Sequence, residues 1–394
     1  MYDSGLIENR KVITKQERKG LLSMLGSFFG IGLIGFGGGN ALVPVIRNTV
    51  VEKRKLISDQ SYHDKVFIAN ITPGALPVEV ACGVGREVAG RLGMVLAPVA
   101  MALPGAALVV LMLACFSRLG QTARSCVQLF SVAVSVYIIY LLVSYIITML
   151  REAAEAGKRR EHIAIFLVTT LFVSGSSFCE MVGIDTTYIP EASPAAIMIC
   201  VLVYAILTKR EKGGVKMNLR GLALDESWCG LILVAAAIPA VILCSEALEF
   251  LGRGMLSAVL SFGGGDAYLG IADDLFVESG MFTTDEFYVQ LVTVANILPG
   301  SILVKMLTGM GYLLGAAATG SVWGGIAVAV AGFGCATYTS CGTYLLVENM
   351  YMASKKMAIF KFIKEIVKPI VAAFMVAVIV SLVQKDINIL TSLF

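Results

Sequence analysis

Two charged residues sit inside apolar sequence at equivalent places: Glu79 in "ALPVEVACGVG" and Lys305 in "SILVKMLTGMG". An ionisable group in an apolar membrane segment is expensive and is normally kept for an ion, a partner charge or a proton relay. Opposite signs at matching positions allow a direct pair between them. They equally allow Lys305 to face an anion while Glu79 serves coupling or gating. Arg86, in "GVGREVAG", offers a fork of donors suited to a tetrahedral oxyanion. Its other reading is an interfacial side chain that reaches out to water.

Backbone is the second source of chemistry. "GFGGGNA" (35–41) places Gly37, Gly38 and Gly39 in apolar sequence, and "SFGGGDAY" (261–268) does the same with Gly263, Gly264 and Gly265. Pro73–Gly74 and Pro299–Gly300 add two further breaks. A helix interrupted there presents the N–H groups and positive dipole end of its second arm, which favour an anion. Glycines also serve close helix packing, but here the break recurs, followed each time by a polar residue, Asn40 or Asp266. That recurrence favours a substrate site. Asn70 and Asn296 precede the two Pro-Gly breaks, where an amide donates to an oxyanion or caps a broken helix. An ionised Asp266 would oppose an anion, so it caps its helix or titrates.

The elements that must position these groups are membrane helices. Of 394 residues, 57% are hydrophobic and 15% charged, against about a quarter charged in soluble domains. Apolar runs at 94–116, 127–150, 163–178, 194–207, 229–244, 312–334 and 369–383 are candidates for spans. The first twenty residues are polar and basic, without the apolar core of a secretory signal, and read as a cytoplasmic tail.

The chain repeats itself at an offset of 226 residues. "GFGGGNAL" returns as "SFGGGDAY", "ISDQ" (57–60) as "TTDE" (283–286), and "ANITPGA" (69–75) as "ANILPGS" (295–301). Gly83 and Gly85 map onto Gly309 and Gly311. Loop charge then orients the halves: 47–60 carries four basic residues, whereas 273–286 carries five acidic ones and no basic one. Basic loops stay in the cytoplasm, so equivalent loops are expected on opposite sides, as in inverted-topology repeats. The basic loops 151–162, 208–220 and 355–368 and the acidic loop 179–192 fit that orientation.

The expected fold is an all-α polytopic membrane protein of two inverted-topology repeats with broken, re-entrant helices. Its parts are a cytoplasmic tail (1–20), a first repeat (21–150), a linking hairpin with an extra span (151–245) and a second repeat (246–394). Tail and 47–60 both read as cytoplasmic, so 21–46 is expected to enter and return, broken at Gly37–Gly39. The stretch 60–84 is expected to do the same about Pro73–Gly74, with Asp64 and Lys65 before the break and Arg86, Glu87 and Arg91 after it.

Other chemistries lack their residues. Nine scattered cysteines and two histidines give no metal-ligand spacing. "GFGGGNA" has no Gly-Lys-Ser/Thr ending to cradle a nucleotide. No nucleophile–base pair stands out, so no catalytic residue, cofactor, metal or enzyme activity is expected, and the driving force falls to an ion gradient or the membrane potential. The net charge of +3 comes without a basic, aromatic-rich patch, so nucleic acid is not an expected partner. The expected partners are the bilayer and a small inorganic oxyanion; a homodimer is left open.

An "FGGG-x-A" element, a polar loop, and a Pro-Gly element followed by spaced glycines resemble the chromate transporter family. Both halves match, as "FGGGNA … NITPGA … GVG" and "FGGGDA … NILPGS … GMG". The resemblance implies an inner-membrane carrier exporting chromate, with sulfate as a related oxyanion, in a family that also has paired short chains of opposite orientation. Its motif positions fall on Phe36, Gly37, Gly38, Gly39, Pro73 and Gly74, and on Phe262, Gly263, Gly264, Gly265, Pro299 and Gly300. The family's Pro-Gly-Pro is Pro-Gly-Ala here (73–75) and Pro-Gly-Ser in the second half (299–301), and Asn70 and Asn296 stand near where the family commonly has Gln. These departures leave sulfate or another small anion beside chromate as cargo. The expected activity is secondary transport by alternating access. The alternatives are a passive anion channel, a carrier of another anion, and a membrane protein without transport.

Overall fold

The computed structural model describes residues 15–34, 38–116, 159–181, 219–261 and 265–353, with short or isolated stretches elsewhere. Among these the chain is all-α. The first half runs α1 (Lys15–Ile34), α2 (Gly38–Arg47) with a wide π-turn extension (Asn48–Lys53), α3 (Asp59–Ile71) and α4 (Leu76–Phe116). Between the halves stand α5 (Arg159–Met181) and α6 (Leu219–Leu243). The second half runs α7 (Ala247–Leu260), α8 (Gly265–Ala272), π-turn segments Asp273–Val277 and Asp285–Val292, α9 (Thr293–Ile297), α10 (Ile302–Thr319) and α11 (Val322–Ala353).

Element boundaries follow the sequence offset. Ile34 and Leu260 end helices, Asp59 and Asp285 begin the next arms, and Leu76 and Ile302 open the arms after each Pro-Gly break. Each of these pairs is 226 positions apart.

α4 is two arms, 76–88 (α4a) and 91–116 (α4b). Ala89 and Gly90 leave helical geometry, with Gly90 at φ 60, a conformation open to glycine without strain. A Cβ on Gly85 would press on the Gly93 carbonyl and lie 2.9 Å from the Ala97 side chain. In one continuous helix, residues 85 and 97 would stand about 18 Å apart. The chain therefore folds back at Gly90, and the 94–116 run lies in α4b. The run 312–334, expected as one span, is instead divided: α10 ends at Thr319, Gly320 turns the chain at φ 63, and α11 starts at Val322. Glycine removes the steric barrier to that turn, and the Thr319 hydroxyl accepts from the Ser321 N–H at 3.3 Å.

α3 and α4a form an antiparallel hairpin about Pro73–Gly74. Ser61, near the start of α3, donates to Glu87, near the end of α4a, at 2.5 Å, and Lys65 meets the same carboxylate at 3.0 Å. The second half repeats this, since Gly309 of α10 lies against Leu291, on the other side of Pro299–Gly300. α11 packs against α4, α6, α7 and α10 and is the centre of the assembly.

Helices α4 (through its arm α4b), α6, α10 and α11 are long and apolar enough to cross a bilayer. α6 exposes Trp228, Leu231, Val234, Ile238 and Ile242, an outward apolar face suited to lipid. The chain is an all-α membrane protein. The 182–196 and 354–365 stretches, most of the 194–207 run and parts of the 127–150 and 369–383 runs lie outside the described residues.

Candidate functional site

Pro73 has no N–H to continue a helix, and Gly74 takes φ 142, as Gly300 takes φ 101 in the second half. The freed backbone groups of the first break find partners in the other half. Gly74 N–H donates to Ser261 O at 2.7 Å, and Ala75 N–H to Ser340 Oγ at 3.1 Å. Thr343 Oγ1 donates to Pro73 O at 2.9 Å. Ser261 lies two residues before the second glycine run, and Ser340 and Thr343 belong to α11. The second break lies against α4b, because a Cβ on Gly105 would collide with Pro299 O. Each Pro-Gly break therefore rests on the long return helix of the other half.

Gly105 and Ser340 both lie well inside their helices. At 1.5 Å per residue, Gly105 is about 20 Å along α4b, so the second break sits near that helix's mid-length.

Glu79 lies over the first break. A Cβ on Gly74 would collide with Glu79 Oε1 and stand 2.8 Å from Ser340 Oγ. The Glu79 side chain is fully buried, and neither carboxyl oxygen has a hydrogen-bond partner. Ser261 Oγ and Thr337 Oγ1 are also buried without partners. Such groups are rare in folded proteins and each one asks for an explanation.

Lys305 takes the matching position in the second half with a different task. Its buried ammonium donates to the carbonyls of Ala295 and Leu298, where α9 ends and backbone acceptors lose their helical donors. A direct Glu79–Lys305 pair, one of the two arrangements their positions allow, is not formed. Asn70 and Asn296 make the same local bond: each side-chain amide donates four residues back, to Val66 O at 2.8 Å and to Val292 O at 3.0 Å.

Arg86 stands apart from both breaks, in a network joining both halves and α6. It donates to Asp225 of α6 at 2.5 Å and to Glu348 of α11 at 2.8 Å. Arg91 reaches the other Asp225 oxygen at 2.9 Å, and Lys65 lies 3.0 Å from Glu87 and 3.6 Å from Glu348. Three cations thus face three carboxylates. A cavity of about 380 Å³ opens here, lined by Lys65, Gly83, Arg86, Glu87 and Glu348 among others.

The chromate transporter family matches residues 22–209 and 248–394, taking in both glycine runs, both Pro-Gly breaks and the helices that hold them. The chain belongs to the chromate transporter family. Among relatives of this family member, the uncharacterized transporter YwrB of Bacillus subtilis is 38% identical over 73 residues, 18% of this chain and 37% of the relative. The chromate transport protein of Cupriavidus metallidurans is 38% identical over 103 residues, covering 26% of this chain and 25% of the relative. A probable chromate transport protein of Synechococcus elongatus is 34% identical over 83 residues, 21% of each chain. The chain thus aligns with well under half the length of each of these three relatives. No solved structure matches it.

Of the family's glycine positions, Gly38 and Gly39 begin α2 and Gly265 begins α8, with Asn40 and Asp266 in the same first turns. They open the second helix of each pair, one helix ending at Ile34 or Leu260 and the next beginning at Gly38 or Gly265. Gly37, Gly263 and Gly264, with Phe36 and Phe262, lie outside the described residues. Sequence reasoning missed Ser261, Thr337, Ser340, Thr343, Tyr344, Glu348 and Asp225. For the five on α11 the available signal was the polar row in "ATYTSCGTYLLVEN" at helical spacing.

Proposed function

We propose that this chromate transporter family member is a secondary transporter of a small divalent oxyanion, chromate or a sulfate-like ion, across the inner membrane. The observation that carries this reading is the exchange of breaks: each half rests its Pro-Gly break on the return helix of the other. The first turns of α4a and α10 then lie at the boundary between halves, where helix N-termini favour an anion. The glycine-led starts of α2 and α8 extend the same backbone-built site. In this reading Gly37–Asn40, Gly263–Asp266, Asn70, Asn296 and the two Pro-Gly pairs form or shape it, and Lys305 holds the end of α9 in place beside it.

Alternating access is supported by the ion-paired network of Lys65, Arg86 and Arg91. It ties α3, α4, α6 and α11 together at one end, where flux through an open pore would need a gap. Arg86, saturated by two carboxylates, acts in closing this end rather than in the resting anion site. The hairpins α3–α4a and the Asp285–α10 pair are re-entrant in this account. The basic 47–60 loop faces the cytoplasm with the N-terminus, and the acidic 273–286 loop faces the opposite side.

The test is uptake into vesicles holding the full chain, with labelled chromate, sulfate, phosphate and molybdate. Movement of at least one divalent oxyanion above empty vesicles is expected. If none moves under any ion gradient or voltage, the reading fails.

A further inference from the structure

We infer that Glu79 is a proton-binding site that exchanges with the open cavity along the seam between α4a and α11, past Gly83, Tyr344 and Glu348. Its role in coupling rests on the transport reading above; its proton occupancy does not.

Two matching rows of residues make the seam. Glu79, Gly83 and Glu87 are spaced by four on α4a, and Ser340, Tyr344 and Glu348 are spaced by four on α11, so each row shares one helix face. The rows meet in register. The Glu79 carboxyl and Ser340 Oγ both lie against Gly74, a Cβ on Gly83 would collide with the Tyr344 hydroxyl, and Lys65 joins the last pair, 3.0 Å from Glu87 and 3.6 Å from Glu348. Tyr344 donates onward to Glu348 Oε1 at 3.3 Å, and Glu348 lines the cavity. One end of the seam is buried and the other opens to the cavity.

An ionised carboxylate accepts hydrogen bonds through both oxygens and is very costly to bury without donors or a counter-charge. Glu79 has neither. The titratable groups facing it are Cys82 on its own helix and Cys341 and Tyr344 on α11. Cys229 of α6 faces Cys82. Ser261 and Ser340 bring only neutral hydroxyls, and Lys65 on α3 is held by Glu87 and Glu348. Among the described residues no ammonium or guanidinium lies within 4.0 Å of Glu79. The neutral acid is the form that this setting accommodates, and loading or losing its proton changes the charge at the first break.

Release balances simply. On turning to the Tyr344 hydroxyl, to which it is not hydrogen-bonded at rest, Glu79 gives up its proton to Tyr344 as Tyr344 gives its own to Glu348 Oε1, and Glu348 passes that proton to water in the cavity. Glu79 is left as a carboxylate and no other residue changes its proton count. Glycine at 83 leaves the room that the Tyr344 hydroxyl occupies.

The test uses the full chain in vesicles. Infrared difference spectra across a pH titration should show a carboxylic-acid carbonyl band that Glu79→Gln removes, and Tyr344→Phe should slow that band's exchange with deuterium. A spectrum that Glu79→Gln leaves unchanged overturns the site, whether or not any oxyanion is carried. Should the Gln variant fail to fold, Glu79→Asp should shift the band, and an unshifted band overturns the site equally. For coupling, sulfate accumulation driven by a pH gradient at clamped voltage, normalised to exchange at equal pH, should be lost in Glu79→Gln. A variant keeping the full gradient response, or a wild type that ignores the gradient while exchanging sulfate, overturns the coupling. A wild type that moves no oxyanion at all counts against the transport reading instead, with the infrared result still deciding the site.

Discussion

The N–H of Gly74 donates to the carbonyl of Ser261 at 2.7 Å. That bond ties the first half's Pro-Gly break to the residue two positions before the second half's glycine run. Two motifs far apart in sequence are therefore one structural unit, and a movement of either half is felt at the other's break.

The contact of Gly105 with Pro299 O is the matching joint on the other side. Gly105→Ala forces the return helix off the second break at an overpacking cost of about 1–3 kcal/mol. Its unfolding midpoint in detergent should fall. Gly252, in a helix with open space around it, is the control: Gly252→Ala should be neutral or stabilising by up to about 1 kcal/mol. Equal midpoints for the two variants would contradict the joint.

Lys305 is predicted to be structural first. Lys305→Met leaves the Ala295 and Leu298 carbonyls without their donor, at about 1–3 kcal/mol each. The unfolding midpoint should drop while added sulfate still raises it. An unchanged midpoint with loss of the sulfate effect would place the ammonium in the anion site instead.

Arg86 and Asp225 should show energetic coupling. Exposed ion pairs contribute under about 1 kcal/mol and breaking buried ones costs about 3–5 kcal/mol. Asp225 is buried and Arg86 half-buried, so a double-mutant cycle with Arg86→Met and Asp225→Asn should return about 1–3 kcal/mol. Additive effects would remove the network from the account.

Much of this was legible in the sequence because breaks are written in residue types. Pro73–Gly74 and Pro299–Gly300 mark turns that proline cannot continue and glycine can adopt, and the helices end and restart there. The membrane character follows from composition alone. The partners were not legible. Arg86 read equally well as an anion ligand or an interfacial residue, because its carboxylates come from α6 and α11, more than a hundred residues away. Ser340 and Thr343 carry no charge to betray them inside an apolar helix, yet they receive the first break. Lys305 and Glu79 share a register, but only the folded chain distinguishes them, one bound to carbonyls and the other without a donor.

Orientation of the halves makes a separate prediction. With Cys115 and Cys200, exposed among the described residues, and Cys126 and Cys179 replaced, Arg54→Cys and Ser279→Cys should react with an impermeant thiol reagent from opposite sides of the membrane. Labelling of both from one side would contradict the inverted arrangement.

Counterflow tests the central claim most directly. Vesicles preloaded with unlabelled sulfate or chromate should take up the labelled ion faster than empty ones and pass through a transient excess at clamped voltage, because a carrier returns loaded. Uptake that ignores the preload and tracks only voltage would contradict a carrier built on the interface between the two halves.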